Sequence, residues 1–124
     1  ELIKTIMNFV QVKATTNLWN GEKSVSFVPS RGLRQGVPLS PYLFVLCMEL
    51  LSHLILQAMK GKQWRGVKTS RAGPMITHQM FADDLLLCAE ATPLQGQIVH
   101  SIMAEFCGIS GQKINIDKTK FFCS

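Results

Sequence analysis

Charge is scarce in this chain of 124 residues. Asp, Glu, Lys and Arg together make up 17%, against about 25% in an ordinary soluble domain. Apolar residues make up 47%. That combination excludes intrinsic disorder, which needs low hydrophobicity and high charge, and it points to outer faces that further protein covers. Cysteine is limited to Cys47, Cys88, Cys107 and Cys123, with no C-x-x-C pair, and the three histidines are scattered. A structural zinc site is therefore not expected. Each cysteine sits in an apolar run, which reads as buried free thiols in a reducing compartment: intracellular, nucleus or cytoplasm, and not secreted. No uninterrupted apolar run approaches the ~20 residues of a membrane span. The longest is Tyr42 to Met48, and Glu49 and His53 break the apolar character beyond it, so no membrane segment is expected. Aspartate occurs only at positions 83, 84 and 117.

The length fits at most one domain, and a chain of this size buries ~68% of its unfolded surface. Lys and Arg number 13 against 8 acidic residues, a net charge of +5. That surplus favours an acidic partner such as nucleic acid, weakly. Glu1 opens in mid-helix without an initiator Met, and the chain stops just after Phe121 and Phe122. The expectation is a fragment of a longer protein.

Apolar residues at Leu2, Ile3, Ile6, Met7 and Val10 have helical spacing. Two strand-like runs, 14–19 and 24–28, flank Asn20-Gly21, the strongest two-residue hairpin signal. A Gly- and Pro-rich loop covers 29–38. Ser40-Pro41 opens a helix expected to run to about residue 59 and to end at Gly61. Its apolar residues nearly circle the axis, which predicts a buried helix. Lys60, Lys62, Arg65, Lys68 and Arg71 form a basic run without an acid, a solvated loop or a nucleic-acid contact. Runs 75–80 and 85–89 read as strands, 94–107 as an amphipathic helix ended by Gly108 and Gly111, and 113–116 with 120–123 as a short strand pair. Trp19 and Trp64 are expected to be core or half-buried, and His53, His78 and His100 structural.

Asp83-Asp84 stands between two apolar runs, where unpaired charge is expensive. At a tight hairpin both carboxylates crowd one end, and a divalent cation would offset their repulsion; Mg²⁺ takes one or two carboxylates plus substrate phosphates. Taken alone, Asp-Asp reads first as a plain turn, and Arg31 and Arg34 as ordinary loop charges.

The wider pattern decides between these. Phe81-Ala82-Asp83-Asp84 resembles the aromatic-x-Asp-Asp box of non-LTR (LINE-type) reverse transcriptases, especially plant ones. The stretch from Arg31-Gly32-Leu33-Arg34-Gln35-Gly36-Val37-Pro38-Leu39-Ser40-Pro41 to Phe44 resembles their R-G-x-R-Q-G-x-P-L-S-P box, and Gly111 to Thr119 resembles their G-x-x-x-N-x-x-K-[ST] element. The three boxes stand in family order and span nearly the whole chain.

The resemblance implies an α+β fold: a partial polymerase palm over residues 1–124, with an antiparallel sheet carrying the Asp-Asp hairpin and the 40–59 and 94–107 helices on one face. It implies RNA-directed DNA polymerisation with Mg²⁺ or Mn²⁺, an RNA template with a DNA primer, deoxynucleoside triphosphates, and fingers and thumb segments supplied by a parent polyprotein. Asp83 is then the main metal ligand, Asp84 assists, and Lys118 matches a lysine that helps pyrophosphate leave. Phe81 would pack near the primer terminus, Gln35 and Gly36 would line the nucleotide and template side, and Arg34 would meet phosphate. Lys60, Lys62, Arg65 and Lys68 are further nucleic-acid candidates.

Two features depart from the family pattern. Val37 replaces an Asp usual in close relatives, at a position that binds no metal. More seriously, the family's first metal-binding aspartate lies on an upstream strand, and no Asp precedes Asp83. The fragment alone is therefore expected to be inactive. The alternative is a non-catalytic remnant or an RNA-binding module on a palm-like sheet.

Overall fold

The computed structural model describes residues 1–11, 14–29, 32–33 and 36–123. They divide into two compact units, Glu1–Val45 and Leu46–Ser124.

In the first unit, α1 spans Leu2–Val10, as its apolar spacing predicts. The Asn20-Gly21 hairpin also forms. Strands β1 (Leu18–Trp19) and β2 (Glu22–Lys23) pair antiparallel, with Leu18 opposite Lys23 and Trp19 opposite Glu22. Asn20 and Gly21 both take positive φ, 50° and 84°, as a two-residue primed turn requires. Further out, Thr15 bridges Phe27. The second arm therefore carries one extra residue, a bulge that bends the ribbon. Trp19 is 80% exposed, contrary to the expected burial: two-residue strands bury too little surface to cover an indole.

Helix α2, Ser40–Lys60, crosses the unit boundary. It ends in a Schellman motif: Gln63 N–H donates to Ala58 O and Lys62 N–H to Met59 O. The left-handed residue is Lys62, at φ 56°, and not Gly61. The expected all-round burial is corrected. Only Met48, Leu51, Ile55 and Ala58 are buried, a single stripe at helical spacing. Tyr42, Val45, Leu46 and Leu56 remain exposed. By length and mean hydropathy (1.7) α2 is long and apolar enough to cross a membrane, although Glu49 and His53 interrupt its apolar run. Within the protein 22% of that apolar window is buried, Leu51 and Ile55 fully.

Three two-stranded antiparallel ladders form among the described residues, in place of one continuous sheet. Besides β1–β2 these are β3 (Val67–Lys68) with β4 (Met75–Ile76), and β5 (His78–Phe81) with β6 (Asp84–Leu87). The class is mixed helix and antiparallel strand, as expected. Helix α3 runs Pro93–Ser110. Thr92 caps it by accepting from Gln95 N–H, and Pro93 fills the first turn. Gly108 lies inside the helix, and the end is Gly111 at φ 70°. The core of the second unit combines the α2 stripe with Trp64 and with Ile102, Met103 and Phe106 of α3.

The strand pair expected at 113–116 and 120–123 does not form. Residues Ile116–Lys118 make a 3₁₀ turn instead. Asn115 Oδ1 accepts from Asp117 N–H (3.1 Å) and Lys118 N–H (3.3 Å), satisfying backbone donors that a ladder would otherwise have to pair.

Candidate active site

The β5–β6 ladder is in register from His78–Leu87 to Phe81–Asp84, which leaves Ala82 and Asp83 as a two-residue turn. Side chains alternate across a strand. His78, Met80, Leu85 and Leu87 are half-buried, and Gln79, Phe81, Asp84 and Leu86 are exposed. Phe81 and Asp84 therefore share the open face at the tip, with Asp83 beside them in the turn. Ala82 supports the tight connection at φ 50°, a region costly for any side chain with a Cβ.

Both aspartates are solvent-exposed. Among the described residues no hydrogen bond or ion pair engages either carboxylate. Two negative charges at one tip, with hard oxygen donors and no cation beside them, suit a magnesium-type ion that completes its shell with water or phosphate. No group of three His, Cys, Asp or Glu side chains that could hold a metal forms among the described residues.

The other site candidates fall elsewhere. Lys118 is exposed in the 3₁₀ turn, which Thr119 closes by donating from Oγ1 to Asn115 O at 2.8 Å. Asn115 and Thr119 thus give the N-x-x-K-[ST] pattern a mechanical role: they fold the turn that carries the lysine. Gly36 has φ 83°. An added Cβ there would meet open space, so the backbone conformation, not crowding within the chain, calls for glycine. Arg34 and Gln35 lie outside the described residues, as does Arg31.

The basic run is exposed at Lys60, Lys62, Arg65 and Lys68. It finds an acid from beyond the run: Arg65 Nη1 lies 3.2 Å from Glu90 Oε2. With both side chains more than half exposed, this pair contributes about 0–1 kcal/mol. The run sits at the far end of the β5–β6 hairpin from the aspartates. Glu90 N–H donates to Arg65 O, and Trp64 Nε1 donates to Cys88 O, just past the Leu87 end of β6.

A family model for reverse transcriptase (RNA-dependent DNA polymerase) matches residues 2–124. The chain belongs to the reverse transcriptase family.

Two relatives of this reverse transcriptase chain are informative. A retrovirus-related Pol polyprotein from a type-2 retrotransposable element of Drosophila melanogaster is 34% identical over 113 residues, which is 91% of this chain and 10% of the polyprotein. An uncharacterized mitochondrial protein of Arabidopsis thaliana is 48% identical over 79 residues, 64% of each chain. The chain thus spans under two thirds of the length of either.

Trp64 lies in the core at 2% exposure, as expected, while Gln95 of this family member carries no signal in the sequence analysis. Gln95 is 3% exposed. It accepts from Arg65 N–H at 2.9 Å and donates to Gln63 O at 2.7 Å. Nothing marks it in the sequence except its place three residues after the Thr92 cap.

Proposed function

We propose that this chain is a palm segment of the RNA-directed DNA polymerase of a non-LTR retroelement, and that Asp83 and Asp84 are its contribution to a two-metal centre for nucleotidyl transfer. The observation that carries this reading is the tight β5–β6 hairpin, which brings both carboxylates and Phe81 to one exposed tip. In the palm arrangement α2 and α3 cover one face of that hairpin. The half-buried His78, Met80, Leu85 and Leu87 and the buried stripes of the two helices support such packing.

Asp83 and Asp84 would hold Mg²⁺ or Mn²⁺, with Asp83 as the principal ligand. When bound, the divalent ions would supply Lewis-acid stabilisation of an in-line attack by a primer 3′-hydroxyl on a nucleotide α-phosphate. Phe81, on the same face as Asp84, offers an apolar surface to the primer terminus. Arg34 presents a planar fork suited to phosphate, and Gln35 and Gly36 border the nucleotide and template. Lys118 would assist departure of the pyrophosphate. A further carboxylate must come from another segment, because no Asp precedes Asp83. The partners are an RNA template with a DNA primer, deoxynucleoside triphosphates, and the fingers and thumb of a parent polyprotein. The expected burial of the cysteines is corrected: Cys47, Cys88 and Cys107 are half-buried and Cys123 is exposed, so the intracellular setting proposed here rests on the cysteine pattern of the sequence alone.

The test is primer extension on poly(rA)/oligo(dT) by a polymerase rebuilt from this chain and the fingers, upstream strand and thumb of a relative. Asp83→Asn is expected to remove nearly all product while template-primer affinity is kept, since affinity rests mainly on Lys and Arg contacts to phosphate. Turnover close to that of the unsubstituted enzyme would make the Asp-Asp pair a plain turn. The chain by itself should give no product; extension sensitive to Asp83→Asn would show that its own carboxylates suffice.

A further inference from the structure

The aspartate tip has no side-chain bonds of its own among the described residues, so whatever fixes its position must act through the base of the hairpin. Each strand is held there by a different element. On β5, His78 Nε2 lies 3.1 Å from Ser52 Oγ on α2, and His78 Nδ1 lies 3.0 Å from Thr77 Oγ1. Thr77 is itself buried, and its carbonyl accepts from Cys88 N–H at 2.7 Å. On the β6 side, Trp64 Nε1 donates to Cys88 O at 3.0 Å from a ring that is 2% exposed. The loop carrying Trp64 is tied in turn to α3, because Gln95 accepts from Arg65 N–H and donates to Gln63 O.

We propose that Ser52–His78 and Trp64–Cys88 are paired pins, one on β5 and one just past the end of β6, that position the Asp83–Asp84 tip for metal binding; this rests on the metal-binding role given to the two aspartates above. The hairpin then acts as a cantilever. From Cys88 to Asp84 is ~13 Å at about 3.3 Å per strand residue. A small tilt at the base therefore becomes a larger displacement at the tip. Two like charges that must meet further ligands tolerate little such displacement, since a site needs its ligands held within about 0.5 Å of the working geometry. The pins are buried or half-buried polar contacts, and losing one partner leaves the other unsatisfied. Ser52, Trp64 and His78 are positioning residues: none of them sits at the tip.

The experiment uses the whole 124-residue chain with Mn²⁺ alone as the probe. Paramagnetic broadening of amides 80–86 gives metal affinity at the tip, and hydrogen–deuterium exchange of 79–86 gives local opening. Ser52→Ala combined with Trp64→Phe, which keeps an aromatic ring but loses the indole N–H, should weaken Mn²⁺ binding about threefold, less than the ~10-fold or more that partners bonded directly to a metal ligand contribute. It should also speed exchange in 79–86 while α3 amides near Ile102 and Phe106 keep their protection. Ser52→Thr, which retains the hydroxyl, should restore both readings in the Trp64 background in part and fully by itself. Unchanged tip affinity and exchange in the double variant, with only a lower melting temperature, would overturn the proposal. If the unsubstituted chain shows no Mn²⁺ broadening at the tip, or Asp83→Asn leaves it intact, the metal-binding role fails, and with it the metal half of the proposal. The exchange data then still decide whether the pins set the tip.

Discussion

Phe81 and Asp84 face each other across the mouth of a two-residue turn, both on the open face of the β5–β6 hairpin. An aromatic ring 81% exposed beside an unpaired carboxylate is a poor arrangement for stability. It suits a surface that meets a ligand with both an apolar part and a cation-bridged anionic part.

Asp84→Asn separates these roles. No partner is lost with the charge, and repulsion from Asp83 falls, so stability should change by no more than about 0.5 kcal/mol, the usual range for a surface substitution. Metal affinity should drop because Asn keeps one oxygen but not the charge. Thermal melts with and without Mn²⁺ check this: the metal-dependent rise in melting temperature shrinks while the metal-free value stays. A large loss of metal-free stability would mean that Asp84 has a structural bond.

Gly66 makes a different demand. A Cβ there would lie 2.5 Å from Ile76 O and 2.8 Å from side-chain carbons of Met75 and Thr77. The nearest atom is backbone in β4, which cannot swing aside. Gly66→Ala should cost about 1–3 kcal/mol, the range for overpacking, and should loosen the β3–β4 ladder first. Denaturant titration gives the magnitude, and amide exchange at Val67 and Ile76 gives the place.

Much of this arrangement could be read from the sequence, and the exceptions share a cause. Asn20-Gly21, Ser40-Pro41 and Phe81-Ala82-Asp83-Asp84 announce a hairpin, a helix start and a carboxylate tip, because each signal is local and has one dominant conformation. The 3₁₀ turn at Ile116–Lys118 replaced an expected strand because the Asn115 side chain offers the backbone a nearer partner than another strand does. Burial failed for Trp19 and for half of α2, since burial depends on what else is present to pack against. The long-range bonds of Gln95 and Trp64 were illegible. Their partners lie 24 to 32 residues away in sequence, and no local pattern encodes such a meeting.

The basic run offers a test at the other end of the hairpin. Lys60, Lys62 and Lys68 are exposed, and only Arg65 has an acidic partner among the described residues. If these lysines contact RNA, binding is sequence-indifferent, and each lost phosphate contact shallows the log–log salt dependence by ~0.7 for a single strand. Replacing Lys60, Lys62 and Lys68 with Gln should then flatten the slope measured by filter binding. An unchanged slope would make the run a solvated loop. Because the run is remote from Asp83, the same replacements should leave Mn²⁺ affinity at the tip intact.

Ala82 carries the last prediction. It holds φ 50° in the turn between Phe81 and Asp84, where a Cβ costs roughly 1–2 kcal/mol. Glycine would remove that cost. It would also give the unfolded chain more freedom, an opposing effect of about 0.4–1 kcal/mol. The strain relief is the larger, so Ala82→Gly should stabilise the chain slightly, by up to about 1 kcal/mol once the two effects are set against each other. Metal binding should move the other way. A glycine at the first turn position lets the tip sample more backbone states, and the two carboxylates must then be ordered when the ion binds. The expected result is a melting temperature equal to or above that of the parent chain together with weaker Mn²⁺ broadening of amides 80–86. Loss of stability in Ala82→Gly would show that the positive φ carries no cost here. Tighter Mn²⁺ binding would show that the strained turn holds the carboxylates away from their working position.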